Sequence, residues 1–346
     1  MKRRNKITKE MVVIAIDKAL EYSLYAMILF IPISITIIEV LFMFSATLFA
    51  LKKILRPDFR AFKDIAHIAL LIFFAFSAAS LINSGPYLAK SFHSLFSKWF
   101  EYIVIFMIIA DVMNTPARVR NCVKILLICG ALIGLDAVFQ KITGFDLFRH
   151  RELIIGRTTA AFKVTNVLAA YLVPVLVSGI ALVFSKDVNK REKIFLILSS
   201  LLLTSILILT FSRAGWLGFT AGLILLFLLS RNIKIAFLPL LIFLTVLLAV
   251  PALRDRATAH GDAQRVALFN ATTEMIGENP FLGKGVGTYM DHYSRRYPDK
   301  SPAYAHNSYM QVWAETGIFS FLSFIAFLAI ILVCGIQLIA QLAYYG

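Results

Sequence analysis

The sequence predicts an all-α fold, a polytopic transmembrane helical bundle of about ten spans with one long outer loop that itself contains helices. Three observations predict it. Hydrophobic residue types make up 59% of the 346 residues and charged types only 16%, whereas a soluble domain is nearer half apolar and a quarter charged. Residues 194–211, 214–230 and 317–345 contain no charge, and such runs match the roughly 20 helical residues that cross a hydrocarbon core. One stretch, residues 251–305, breaks this pattern with a mixed polar composition.

In chain order the spans fall at residues 20–34, 37–51, 65–81, 100–112, 122–139, 159–184, 194–211, 214–229, 233–250 and 318–338. Pro32 and Glu39 interrupt the first pair. Residues 1–10 are basic, with no small-residue cleavage site after an apolar core, and are read as a retained cytoplasmic end. With that end inside, Lys52-Lys53 and Lys190-Arg191 fall on short inner loops, as the positive-inside rule asks. The net charge of +15 then faces anionic lipid rather than nucleic acid, because the aromatics lie in apolar runs and not along a basic stripe. Cys122, Cys129 and Cys334 lie within spans or at their inner ends, which leaves no disulfide framework and no thiolate metal site. The chain reads as nine transmembrane helices over residues 1–250, a loop domain over 251–305, and a C-terminal transmembrane segment over 306–346.

At about 55 residues, the outer loop is far longer than an ordinary connection, and such loops are usually functional or disordered. Its composition favours order. Val266, Leu268, Phe269, Met275 and Ile276 recur at helical spacing, which predicts a helix over 262–277. Glu278-Asn279-Pro280 stops it. Gly283-Lys284-Gly285-Val286-Gly287 reads as a flexible turn, and residues 289–297 are aromatic and basic. A second outer segment, 85–99, places Phe92, Leu95, Phe96 and Trp99 on one helical face beside Lys90 and Lys98. That is either a helix lying in the interface or an aromatic belt at a span end.

Four residues stand out chemically. Arg213 lies between two apolar runs with no loop around it. It either snorkels to the interface or, as intramembrane charges usually do, marks a site. Arg157 opens the 159–184 span, with Asn166 further along the same predicted helix, and Arg265 opens the loop helix. Together these put three guanidiniums on the outer side, where planar forks of donors suit a diphosphate. His306, at the start of the last span, is the candidate proton acceptor. A helix N-terminus disfavours imidazolium, and a neutral imidazole serves as a general base near pH 7. Asn307 and Tyr309 follow it, while Gln311 and Glu315 on the next turns are placed to orient it or to cap a polar groove. No metal or cofactor is expected. His260, His292 and His306 lack ligand spacing, and Gly277 to Gly285 has neither P-loop spacing nor the Ser or Thr that would hold magnesium.

At these residues the sequence resembles the O-antigen ligase family, within the superfamily that includes polysaccharide polymerases. Arg213-Ala214-Gly215-Trp216-Leu217 matches its Arg-x3-Leu pattern, and His306 to Gly317 matches its His-x10-Gly pattern. Asn279-Pro280-Phe281-Leu282-Gly283-Lys284-Gly285-Val286-Gly287 resembles its Asn-Pro-x-x-Gly-x-Gly-x-Gly segment, preceded by Arg265. Arg157 to Asn166 resembles its earlier Arg…Asn segment. The resemblance implies a bacterial inner-membrane enzyme of about twelve spans, with its active site periplasmic. It transfers a glycan from undecaprenyl diphosphate to a sugar hydroxyl on the lipid A core, without metal and with inversion. Arg157, Arg213 and Arg265 would hold the diphosphate and His306 would take the acceptor proton, with Asn166, Asn307, Tyr309 and Glu315 in support. A polymerase of the same superfamily is the near alternative. A transporter of an anionic lipid is the distant one, hinted at by Glu101, Asp136 and Gln140.

Overall fold

The computed structural model describes residues 2–184, 188–230, 233–251, 253, 255, 263–299 and 304–345. Among them are helices and no strand, with two isolated bridges at Phe145–Glu152 and Ile154–Arg157. The helices are α1 (Lys2–Phe30), α2 (Ile35–Leu55), α3 (Ile65–Ala79), α4 (Leu88–Ser94), α5 (Glu101–Val112), α6 (Pro116–Thr143) and α7 (Thr165–Val183). They continue as α8 (Lys190–Leu209), α9 (Arg213–Ser230), α10 (Ile233–Ala249), α11 (Ala263–Glu278), α12 (Tyr289–Arg296) and α13 (Ser308–Tyr345). Six described stretches are long and apolar enough to cross a membrane: Ile35–Leu55, Ile65–Asn83, Pro116–Thr143, Thr165–Val183, Lys190–Leu209 and Ser308–Gln337. The chain is therefore a helical membrane protein.

Two of its local boundaries differ from expectation for visible reasons. Pro32 does sit in a break, between α1 and α2, but α2 runs through Glu39, whose side chain is exposed. The helix predicted from residue 159 begins only at Thr165. The buried Gln140 carboxamide oxygen accepts the backbone N–H groups of Thr159 and Ala160, both at 2.9 Å, which diverts them from helical pairing. Arg157 and Asn166 consequently do not share a helix.

The chain divides into two compact units, one of residues 1–9, 46–112 and 260–346, the other of residues 10–45 and 113–259. In the first, α3 packs along α13. Phe73, fully buried, meets Trp99 and Phe324 at 5.0 and 5.5 Å between ring centroids, and Ser77 and Ser320 share a hydrogen bond of 2.8 Å. Helix α11 buries Leu268, Ala271 and Met275 with Tyr289 and Tyr293 of α12. These positions recur at i, i+3 and i+7, the stripe of a helix packed on one side. Val266 and Phe269, which the periodicity placed on that face, are exposed. The face turns because Thr272 reaches the Tyr289 hydroxyl at 2.6 Å, fixing which side of α11 points inward.

In the second unit α6 to α10 pack through small residues. A Cβ on Gly130 or Gly134 of α6 would press on Leu203 of α8, and one on Gly222 of α9 on Val177 of α7. Such glycines let apolar helices approach closely where no hydrophobic effect drives them together. The core is Leu168, Leu172 and Leu176 of α7 against Leu203 and Leu207 of α8 and Phe219 of α9.

Candidate active site

Gly283, Gly285 and Gly287 all have positive φ, at 69°, 101° and 71°, a region open to glycine and strained for other residues. Each also lies where no side chain fits. A Cβ on Gly283 would overlap the Glu315 backbone, one on Gly285 the Ser84 hydroxyl, and one on Gly287 the Ser94 hydroxyl. The close approach forms hydrogen bonds: Lys284 N–H to Ala314 carbonyl at 3.0 Å, Gly285 N–H to Glu315 carbonyl at 2.8 Å, and Ile318 N–H to Pro280 carbonyl at 2.9 Å. The segment expected to be a flexible turn is thus a bonded strap across the start of α13.

Gly317 completes the strap. Its φ of 81° and ψ of 174° break α13, and a Cβ there would overlap the Phe281 carbonyl. The break frees backbone groups that the Asn-Pro segment uses. The last residue of the His-x10-Gly pattern and the first half of the Asn-Pro-x-x-Gly pattern are two sides of one joint. Glu315, 6% exposed, fastens the far end by accepting from Gly287 N–H at 2.8 Å, Tyr289 N–H at 3.2 Å and the Gln311 amide at 3.1 Å. Gln311 and Glu315, expected to orient His306 or to cap a polar groove, are thus engaged with each other and with the strap. Asn83 supports it from another side, donating to the Gly283 carbonyl at 3.2 Å, a role that no pattern in the sequence announced.

His306 is exposed and has φ 51°. A non-glycine residue in this left-handed region is uncommon, and such strain gathers at functional sites. Asn307 holds the geometry in place, its side-chain oxygen accepting from Tyr309 N–H at 3.1 Å and Met310 N–H at 3.3 Å to cap α13. That satisfies two of the amides a helix start leaves orphaned. Tyr309 is half exposed and meets Phe324 at 6.3 Å.

Arg213 stands in a matching position in the second unit. Phe211 has φ 51°, Ser212 caps the new helix by accepting from Gly215 N–H at 3.3 Å, and Arg213 is the first residue of α9. Arg157 is anchored at this corner, its Nε donating to the Thr210 carbonyl at 2.7 Å. The structure thus brings Arg157 to the α8–α9 corner where Arg213 starts its helix. It does so with a segment that sequence reasoning passed over. Gln140 also binds the Thr158 hydroxyl at 2.7 Å. Asp146, fully buried, accepts from the N–H groups of Phe148, Arg149 and Arg151. The only hint was that Asp136 and Gln140 are polar residues in an apolar run. Both serve this segment, Asp136 by accepting from Leu147 N–H at 2.7 Å. Arg265 and Asn166 are exposed, near the N-termini of α11 and α7.

Among the described residues no three His, Cys, Asp or Glu side chains gather as metal ligands. A helical membrane protein with motif residues set at strained, capped helix starts defines the class. Residues 198–325, a stretch that contains Arg213, Arg265 and His306, match the family model described as O-Antigen ligase. No curated protein matches the chain.

Proposed function

We propose that the protein is an O-antigen ligase of the bacterial inner membrane, transferring an undecaprenyl-diphosphate-linked glycan to a sugar hydroxyl of a lipid A-core acceptor. In this reading it has about ten spans, a cytoplasmic N-terminus and a periplasmic loop over 251–305. Arg157, Arg213 and Arg265 bind the diphosphate and stabilise the charge it gains on leaving. His306 removes the proton of the attacking hydroxyl, and the anomeric centre inverts without a metal. The observation that carries the reading is the family match over 198–325, which spans three of the four residues. The left-handed backbone before α9 and before α13 supports it, because both present a motif residue at the positive end of a helix, where anionic groups are favoured.

The test is transfer of labelled glycan by purified protein. His306→Ala should lower the rate by about 10²-fold or more, the usual worth of a general base, and full activity in that variant would remove His306 from the mechanism. Deletion of the gene separates the ligase from the polymerase. Core lacking all glycan is the ligase outcome, and core capped with a single repeat is the polymerase outcome. Asp136 and Gln140 hold the segment before α7, a structural role that weakens the transport reading.

A further inference from the structure

Beside the strap, the first unit contains a cavity of about 200 Å³ that the motifs leave unexplained. Lys90, Lys98, Trp99 and Tyr102 line one side, and Gln311 and Glu315 line another. The first four come from one continuous helical run, α4 into α5, interrupted by a π-helical turn at Leu95–Phe100. The interruption explains how they share a face. In an unbroken α-helix each four-residue step drifts by about 40°, which would swing Tyr102 well away from Lys90. The wider π turn takes back part of that drift, and π turns recur at functional sites. The indole is braced edge-on, with Phe73 at 5.0 Å and Tyr102 at 6.2 Å.

An aromatic wall facing an amide is the lining of a site that takes an amphipathic ring, with apolar faces and hydroxyl edges. The charges narrow the choice. Lys90 is neutralised by Asp291 at 2.6 Å. Lys98 has no ion-pair partner within 4.0 Å among the described residues. Its charge acts on Glu315, whose oxygens already accept two backbone amides and Gln311. The Lys98 ammonium is exposed and lines the cavity, and an ammonium so placed can form a charge-assisted hydrogen bond with an anion from outside.

We propose that this cavity is a saccharide site on the acceptor side of the reaction, and that it selects a sugar carrying an acidic substituent. The ring lies against Trp99, Gln311 bonds its hydroxyls, and Lys98 binds the phosphate or carboxylate. The assignment rests on the transferase reading for the word acceptor, so the test reads binding separately from transfer. Full-length protein in detergent is titrated with oligogalacturonate and with a neutral malto-oligosaccharide of equal length. Oligogalacturonate should bind more tightly. Lys98→Gln should weaken it about tenfold, equal to about 1.4 kcal/mol, with little effect on the neutral sugar, and Lys98→Arg should restore it. Trp99→Ala should weaken both sugars. Equal binding of the two sugars, or an unchanged affinity in Lys98→Gln, overturns the proposal. In transfer assays the same variant should raise KM for a phosphorylated lipid A-core acceptor and not for its dephosphorylated form. Selective binding without any transfer product would sink the ligase reading and leave the saccharide site standing. Transfer that is indifferent to Lys98 would do the reverse.

Discussion

Two irregular segments of this protein carry motif residues, Arg157 in one and the Asn-Pro-glycine run in the other, and they are ordered by opposite means. The strap at 279–288 is shaped by what it lacks. Gly283 lets its backbone lie against Glu315 of α13, Gly285 and Gly287 let it pass the Ser84 and Ser94 hydroxyls, and the N–H groups of Lys284 and Gly285 bond directly to α13 carbonyls. The segment at 144–164 is shaped by side chains. Gln140 and Asp146 reach in and accept backbone N–H groups that would otherwise join a helix. Missing side chains can be read along the chain as a spaced pattern of Gly. A side chain that bonds backbone nearly twenty residues away leaves no pattern, because the spacing depends on how the chain folds back.

Substitutions can break this contrast. The largest loss should come from Gly317→Ala and Gly283→Ala, where positive φ and backbone overlap act together. A cost of about 4 kcal/mol, at the top of the single-mutant range, is expected, read as loss of folded protein in detergent. If either variant melts like the parent, the strap is not held by backbone approach. Gln140→Leu comes next. It leaves the N–H groups of Thr159 and Ala160 buried and unbonded and takes from the Thr158 hydroxyl the nearer of its two acceptors, for about 3 kcal/mol. It should also free Arg157 from the α8–α9 corner, so donor binding falls more than stability alone explains. Glu315→Gln keeps the shape of the strap's fastener and removes its charge, so a smaller loss, about 1.5 kcal/mol, is expected from weaker hydrogen bonds. A cost as large as that of Gly317→Ala would mean that the carboxylate, and not the glycines, orders the strap.

The smallest effect is a pH dependence. Burial first, and the nearby Lys284 charge second, hold His292 of α12 below its ordinary value of 6.5. A depressed histidine is stabilising while neutral. That contribution is present above about pH 6.5 and is lost as the pH falls through the folded value. The thermal midpoint should therefore decline on acidification from pH 7 to pH 5, and His292→Asn should flatten the decline. An identical slope in the variant would assign the acid sensitivity elsewhere.

Much of the local backbone was legible. Arg213 and His306, singled out by position and resemblance, both lie in or beside left-handed backbone at a helix start, and α11 lies within a residue of its expected bounds because Asn279-Pro280 stops it. What was not legible is of another kind. The apolar run after Arg157 places that residue at the opening of a helix shared with Asn166, and the spacing of Glu315 from His306 allows it either to orient the imidazole or to cap a polar groove. In both cases a partner distant in sequence, Gln140 for one and Gly287 for the other, decided the outcome.

What the sequence determined by itself is the class: apolar runs of membrane-spanning length fix a helical membrane protein, because backbone polar groups in lipid must be satisfied within each segment. Its motifs also marked where special backbone is required. Only the tertiary structure decided what those motifs do to one another. Gly317 and Gly283 are separated by more than thirty residues, and their shared purpose, backbone against backbone, exists only once α13 breaks and the strap lies across it. The π turn that aligns Lys98 and Trp99 is likewise a product of packing. Nothing in the local preferences of Leu95-Phe96-Ser97-Lys98-Trp99-Phe100 favours i+5 bonding over i+4.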